Sequence, residues 1–111
     1  MINEAQKGRL PLEKVVELLA VNPAKDFHIF PQKGTISAGA DADLAIVDLT
    51  KPMVVDWHKN YSHAKEIAKV YDGWKLGNTM EYTVVRGRVV MEHGVVDETA
   101  SGWGEFVRPA K

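Results

Sequence analysis

The chain has 111 residues, 45% hydrophobic and 26% charged, with a formal net charge of -1 and no cysteine. That is an ordinary globular composition, sufficient for one domain with a modest core. It excludes disulfides, thiolate metal sites and cysteine nucleophiles, and it leaves no basic footprint for nucleic acid or a membrane surface.

No apolar run approaches the ~20 residues of a membrane span. The opening Met1-Ile2-Asn3-Glu4-Ala5-Gln6-Lys7 lacks the long apolar stretch of a secretory signal. The expectation is a cytoplasmic protein that binds neither nucleic acid nor membrane.

In chain order, Leu12, Val15, Val16 and Leu19 recur at helical spacing and predict one apolar helix face. Pro11 suits the first helical turn, and Glu13 complements the positive end of the helix dipole. Asn22 is expected to cap a second short helix, with Pro23 at its first position and Ala24 and Phe27 on the apolar side. From Lys33 the pattern changes. Gly34 and Gly39 punctuate a turn, and Asp41 and Asp43 bracket the entry into Leu44-Ala45-Ile46-Val47, an apolar run that predicts a strand covered on both faces.

Met53-Val54-Val55-Asp56 predicts a further strand. Ala64, Ile67, Ala68 and Tyr71 share a face if residues 62–71 turn helically. Two hairpins follow. Glu81–Val85 and Val89–Met91 flank Arg86-Gly87-Arg88, and His93-Gly94 turns into Val95-Val96. Apolar residues on both faces imply a sheet covered on both sides. The tail Trp103-Gly104-Glu105-Phe106 carries large apolar side chains that need something to pack against.

None of the usual catalytic arrangements is evident. The histidines His28, His58, His63 and His93 lack the spacing that aims two imidazoles at one ion; hydrogen-bonded or exposed histidines are the simpler reading. Asp41 and Asp43 could present two carboxylates together, but a hard cation needs more oxygen ligands than Asp48 alone can add. Turn and strand-entry roles explain them better. Ser37, Ser62 and Ser101 lie outside any nucleophile elbow, and Gly34, Gly39 and Gly73 form no phosphate-cradling loop. Trp57, Trp74 and Trp103 are scattered, with no basic surplus to make a base-stacking platform.

Three blocks carry a family resemblance: Lys7-Gly8-Arg9-Leu10 through Asn22-Pro23-Ala24-Lys25, Pro31-Gln32-Lys33-Gly34-Thr35-Ile36 through Asp43-Leu44, and Tyr71-Asp72-Gly73-Trp74-Lys75-Leu76 followed by Thr83–Val90. Together with the Gly102–Phe106 tail they resemble the C-terminal segment of cyclic amidohydrolases, the dihydroorotase, hydantoinase (dihydropyrimidinase) and allantoinase group. The chain departs from that pattern at Asp26 and His28, where relatives usually have an aliphatic residue and glycine. It departs again at Ala68-Lys69-Val70, which replaces a common Ser-Pro.

The resemblance implies an α+β fold: N-terminal helices in residues 1–32, like the last barrel helices, then a β-rich segment in residues 33–111. The second segment would be a small β-sheet or β-sandwich, like the composite sandwich domain of these enzymes. In relatives, a TIM barrel carries the HxH pair, modified lysine, further histidines and aspartate that hold divalent metal, usually zinc. A barrel needs roughly 200 residues or more, so none fits here. No catalytic or metal residue carries over to any position, and no cofactor is expected for this chain.

The expected function is that of a truncated C-terminal portion of a cyclic-amide hydrolase, not catalytic alone. The alternative is an accessory or oligomerisation module that completes a separately encoded barrel. An independent metal enzyme using His58, His63 and the acidic residues is a third reading. In the cyclic amidohydrolases N-terminal strands complete the sandwich and the barrel wall covers the last helices. The resemblance therefore implies unpaired strand edges and an uncovered helix face here, and hence a homo-oligomer formed by strand pairing or by exchange of the N-terminal helices.

Overall fold

A computed structural model describes residues 1–110, so the end of the 33–111 segment lies outside the described residues. Three short helices come first: α1 (Ile2–Gln6), α2 (Leu12–Val16) and α3 (Asn22–Asp26). Among the described residues six strands follow: β1 (Leu44–Asp48), β2 (Met53–Val54), β3 (Lys75–Leu76), β4 (Thr79–Val85), β5 (Arg88–Glu92) and β6 (Val95–Val96). They form a four-stranded antiparallel sheet in the order β1-β4-β5-β6 and a separate β2–β3 ribbon. The α+β architecture is as expected.

The expected restart at Asn22 is corrected. Helical geometry continues from α2 to α3 through a wide π turn at Glu17–Val21, and Asn22 sits inside it at φ -64°, ψ -49°. Proline lacks an N–H and its ring crowds the carbonyl four residues back. A wide turn just ahead of Pro23 relieves both constraints, with the Asn22 N–H donating to the Glu17 carbonyl. Pro11 stands one residue before the helix, extended at ψ 147°, and its carbonyl accepts from Lys14 and Val15.

The helix ends at Phe27, and His28 follows at φ 55°. This left-handed position past a helix end is usually glycine. The conformation gives a physical meaning to the departure from the family pattern at His28.

Both hairpins form as expected. Arg86 (φ 45°) and Gly87 (φ 78°) join β4 to β5, and His93 (φ 48°) and Gly94 (φ 82°) join β5 to β6. Two central residues at positive φ match the right-handed twist of the strands they connect. Residues 65–71 form 3-10 turns, with Ile67 and Val70 exposed.

The expectation of a sheet covered on both sides is also corrected. Register places Leu44, Val84 and Val89 in one cross-strand row and Ile46, Tyr82, Glu92 and Val95 in the next, on the same face. Ile46, Val89 and Val95 on that face are exposed. The tail covers part of the other face, where the Trp103 indole N–H donates to the Val85 carbonyl at 2.8 Å. The Arg86 and Arg88 guanidinium groups lie 4.9 and 5.5 Å from the Trp103 ring. Phe106, three residues on, remains exposed.

The core is correspondingly small. Among the described residues the buried apolar side chains are Val15 and Ala24. The accessible surface is 8344 Å², against about 6,100 Å² for a self-contained domain of 12.3 kDa. The radius of gyration, 15.4 Å, likewise exceeds the roughly 13 Å expected at this length.

Two substitutions test the helical end. Gly34 holds φ +84°, and a Cβ there would meet the Ala24 Cβ at 2.6 Å and the Ala20 carbonyl oxygen at 2.7 Å. Gly34→Ala is expected to destabilise the fold by about 2 kcal/mol or more. His28→Gly is expected to stabilise it by about 1 kcal/mol. Urea unfolding with circular dichroism measures both.

Candidate functional site

Three polar clusters gather most of the chemically capable side chains. The first is the crossover from helix to sheet. The Lys33 ammonium reaches the Asp41 carboxylate at 2.8 Å and also binds Asp43. Gln32 donates to Asp41 at 3.1 Å. The backbone N–H of Arg86 donates to Asp43 at 2.8 Å, and that of Gly87 to the Ala42 carbonyl at 3.0 Å. This explains the Asp-x-Asp spacing: alternate residues of an extended entry grip one lysine, and Asp43 also anchors the β4–β5 turn.

The charges reinforce one another. Desolvation works to lower the Lys33 pKa, but hydrogen bonds from its ammonium to Asp41 and Asp43 outweigh it and hold the pKa above its ordinary 10.5. The Lys33 hydrogen bond, helped by Gln32, holds Asp41 below 3.8. Burial pushes Asp43 up, yet Lys33 and the Arg86 N–H bring it below 3.8 on balance.

The second cluster centres on Glu81, a carboxylate buried in β4 at the strand's bulge. It accepts from the Lys51 ammonium at 2.8 Å and from the His93 ring. The His93 backbone N–H donates to the Glu81 carbonyl at 2.7 Å, and the Tyr82 hydroxyl lies 3.2 Å from His93 Nε2. The Lys51 and His93 hydrogen bonds hold the Glu81 carboxyl below its ordinary 4.5. One acceptor thus ties the β1–β2 connection to the β5–β6 turn.

The third cluster lies around the β2–β3 ribbon. His58 Nδ1 is 3.0 Å from the Asp56 carboxylate, which His58 keeps below 3.8. The His58 ring stacks on Trp57 with centroids 3.9 Å apart, and the Lys69 ammonium stands 4.5 Å from the Trp57 ring.

The structure therefore separates the histidines. His93 joins Glu81, His58 joins Asp56, His63 is exposed, and His28 stands at the helix end, where its carbonyl accepts from Ala110 at 2.8 Å. Asp48 caps Thr50, accepting from its N–H and its hydroxyl at 2.7 Å each. Among the described residues, no three or more histidine, aspartate or glutamate side chains are grouped so as to hold a metal ion. Zinc needs about four such ligands, or three and a water. The donor set present does not fit a zinc centre.

Sequence reasoning missed Glu81 and the Lys33 clamp. One signal was available: Glu81 is a charge in a β-branched and aromatic run. Its partners, Lys51 and His93, are distant in sequence and could not be paired with it.

The geometry defines an α+β chain with a small antiparallel sheet, a short helical lead and internally paired charges. Its fold is similar to that of the solved L-hydantoinase (dihydropyrimidinase) from Arthrobacter aurescens, with a TM-score of 0.73 at 42% identity, covering 85% of this chain and 20% of that one. An L-hydantoinase from Paenarthrobacter aurescens is 41% identical over 109 residues, 96% of this chain and 23% of the relative. A dihydroorotase from Acetivibrio thermocellus is 39% identical over 89 residues, 80% of this chain and 20% of the relative. The Amidohydrolase family model matches residues 1–90, and the chain belongs to that family. It spans about a fifth of the length of these relatives. No helix among the described residues is long and apolar enough to cross a membrane.

The clamp has a pH signature. Carboxyls held below 3.8 contribute stability that is complete above 3.8 and lost as pH falls through their lowered values. Lys33, held above 10.5, contributes below 10.5 and loses its contribution as pH rises through its raised value. Lys33→Gln is therefore expected to lower the urea midpoint near neutrality and to flatten the acid limb. Urea titrations of both proteins between about pH 2 and pH 7 measure the difference.

Proposed function

We propose that this chain is the C-terminal portion of a cyclic-amide hydrolase and does not hydrolyse such amides alone. The observation carrying the reading is a mismatch. The chain is similar to hydantoinases and a dihydroorotase over about a fifth of their length, and its described residues gather no metal-binding group. Activating water for attack on an amide calls for a strongly acidifying centre such as bound metal. Here the carboxylates that could serve are held by lysine, arginine backbone or histidine.

The chain works, in this reading, as a surface that other polypeptide completes. Its accessible area of 8344 Å² exceeds that of a self-contained domain by roughly 2,000 Å², more than the ~800 Å² one partner contributes to a standard interface. The partner is a second copy, giving a cytoplasmic homo-oligomer. A second reading, docking on a separately encoded amidohydrolase barrel, is favoured by the helical stripe. Leu12, Val16, Leu19 and Phe27 are all exposed along it.

The purified chain is expected to leave hydantoin, dihydroorotate and allantoin unchanged, with or without added zinc, and to bind zinc below stoichiometry. Turnover above the buffer background, in the absence of any other polypeptide, would overturn the reading. Restored turnover on adding a separately expressed barrel would establish the second.

A further inference from the structure

We infer that residues 101–106 are a strap over the sheet face opposite the Ile46 row, latched by Trp103, and that it opens as a unit while the sheet stays folded. Opening uncovers Val85, Met91 and Val96. The strap thereby decides whether that face is covered or presented.

The strap is tethered at two ends. On one side Asp97 caps the Glu98–Ala100 turn, accepting from the Thr99 N–H at 2.9 Å. On the other, the Ala110 N–H donates to the His28 carbonyl at 2.8 Å. Among the described residues, no backbone–backbone hydrogen bond involves residues 104–109. Trp103 holds the span between. Its N–H donates to the Ala100 carbonyl at 2.9 Å and its indole N–H to the Val85 carbonyl at 2.8 Å, while its own carbonyl accepts from the Arg86 guanidinium. Gly102, at φ 81°, stands beside it as the pivot, a conformation that suits glycine.

The receiving half of the latch is built without the tail. Asp43 accepts the Arg86 backbone N–H at 2.8 Å. The Arg88 guanidinium donates to Asp97 at 2.9 Å and to Thr99 at 2.8 Å. Both arginines are therefore positioned before the Trp103 ring arrives, 4.9 and 5.5 Å from them.

Packing beneath the strap is loose. A cavity of about 600 Å³ lies between tail and sheet, lined by Val85, Met91, Val96, Ala100 and Trp103 among others. Phe106 is 86% exposed and adds little burial, and Trp103 itself remains 37% exposed. β4, by contrast, is paired on both sides, to β1 and β5. Segments with few buried contacts open at lower free energy than the ladders they cover.

Native-state hydrogen exchange by NMR tests the strap. The Trp103 indole N–H, assigned through Trp103→Phe, reports on the latch, and the β4 amides bonded to β5 report on the sheet. The indole is expected to be protected, but roughly tenfold or more less than those amides. Urea below the unfolding transition is expected to leave its exchange unchanged while speeding theirs, because local opening exposes little surface. Arg86→Gln removes the guanidinium and keeps the backbone bond to Asp43. It is expected to speed indole exchange roughly tenfold with the amides unaffected.

Equal protection of indole and amides, with the same urea dependence, makes the tail part of the cooperative sheet and overturns the strap. An indole with no protection overturns the closed latch, as does an unchanged indole rate in folded Arg86→Gln. Should that variant fail to fold, the urea dependence of the unaltered chain decides alone: a flat indole response supports the strap, and a response parallel to the amides overturns it.

Discussion

Lys33 joins the two parts of this fold. Its ammonium binds Asp41 and Asp43, and Asp43 in turn accepts the backbone N–H of Arg86 at the β4–β5 turn. One residue on, Gly34 lies so close to Ala24 and Ala20 that no side chain fits between. Helix, crossover and hairpin therefore meet within two consecutive residues, one contributing charge and the other the absence of a Cβ. With an apolar core of Val15 and Ala24, such polar ties matter more here than in a fold with a deep interior. The N-terminal helix is held in the same way. The Gln6 amide donates to the Leu49 and Gly77 carbonyls at 2.7 and 2.9 Å and accepts from Asn78 at 2.8 Å, so a side chain extends the hydrogen bonding of the backbone.

The functional consequence of this arrangement is negative for the groups that sequence inspection singles out. A carboxylate or imidazole acts on substrate or metal when its lone pairs are free and several such groups converge. Asp41, Asp43, Glu81 and His93 have instead been drawn into structural pairs. The hydrogen bonds that hold the carboxyls well ionised also occupy them. Depressed carboxyl values can accompany catalysis or ion pairing; here each lies beside a lysine or histidine that satisfies it, which favours structural pairing.

What the sequence made legible follows from the range of the forces involved. The hairpin turns were readable because glycine at Gly87 and Gly94 and the alternation beside them are local signals. The entry at Asp41–Asp43 was readable as a turn, but the lysine that makes it a clamp could not be named, because Lys33 lies across a loop. The error at Asn22-Pro23 has a local cause. The same dipeptide serves a helix start and a π turn, and only the register of the preceding turn distinguishes them. The error at the sheet had a different cause. Apolar residues on both faces of β1, β4 and β5 do signal cover on both sides, and this chain alone leaves one of those faces exposed.

That last mismatch bears on the family assignment. A sequence pattern reports the environment in which its residues are stable, whether or not the covering polypeptide is in the same chain. The exposed stripe Leu12–Val16–Leu19, the exposed row Ile46–Val95 and the open edge of β1 are three surfaces of one kind, each satisfied internally on one side and unsatisfied on the other. The chain's surface in excess of a self-contained domain is larger than one side of a standard contact, so one contact of that size leaves part of it uncovered.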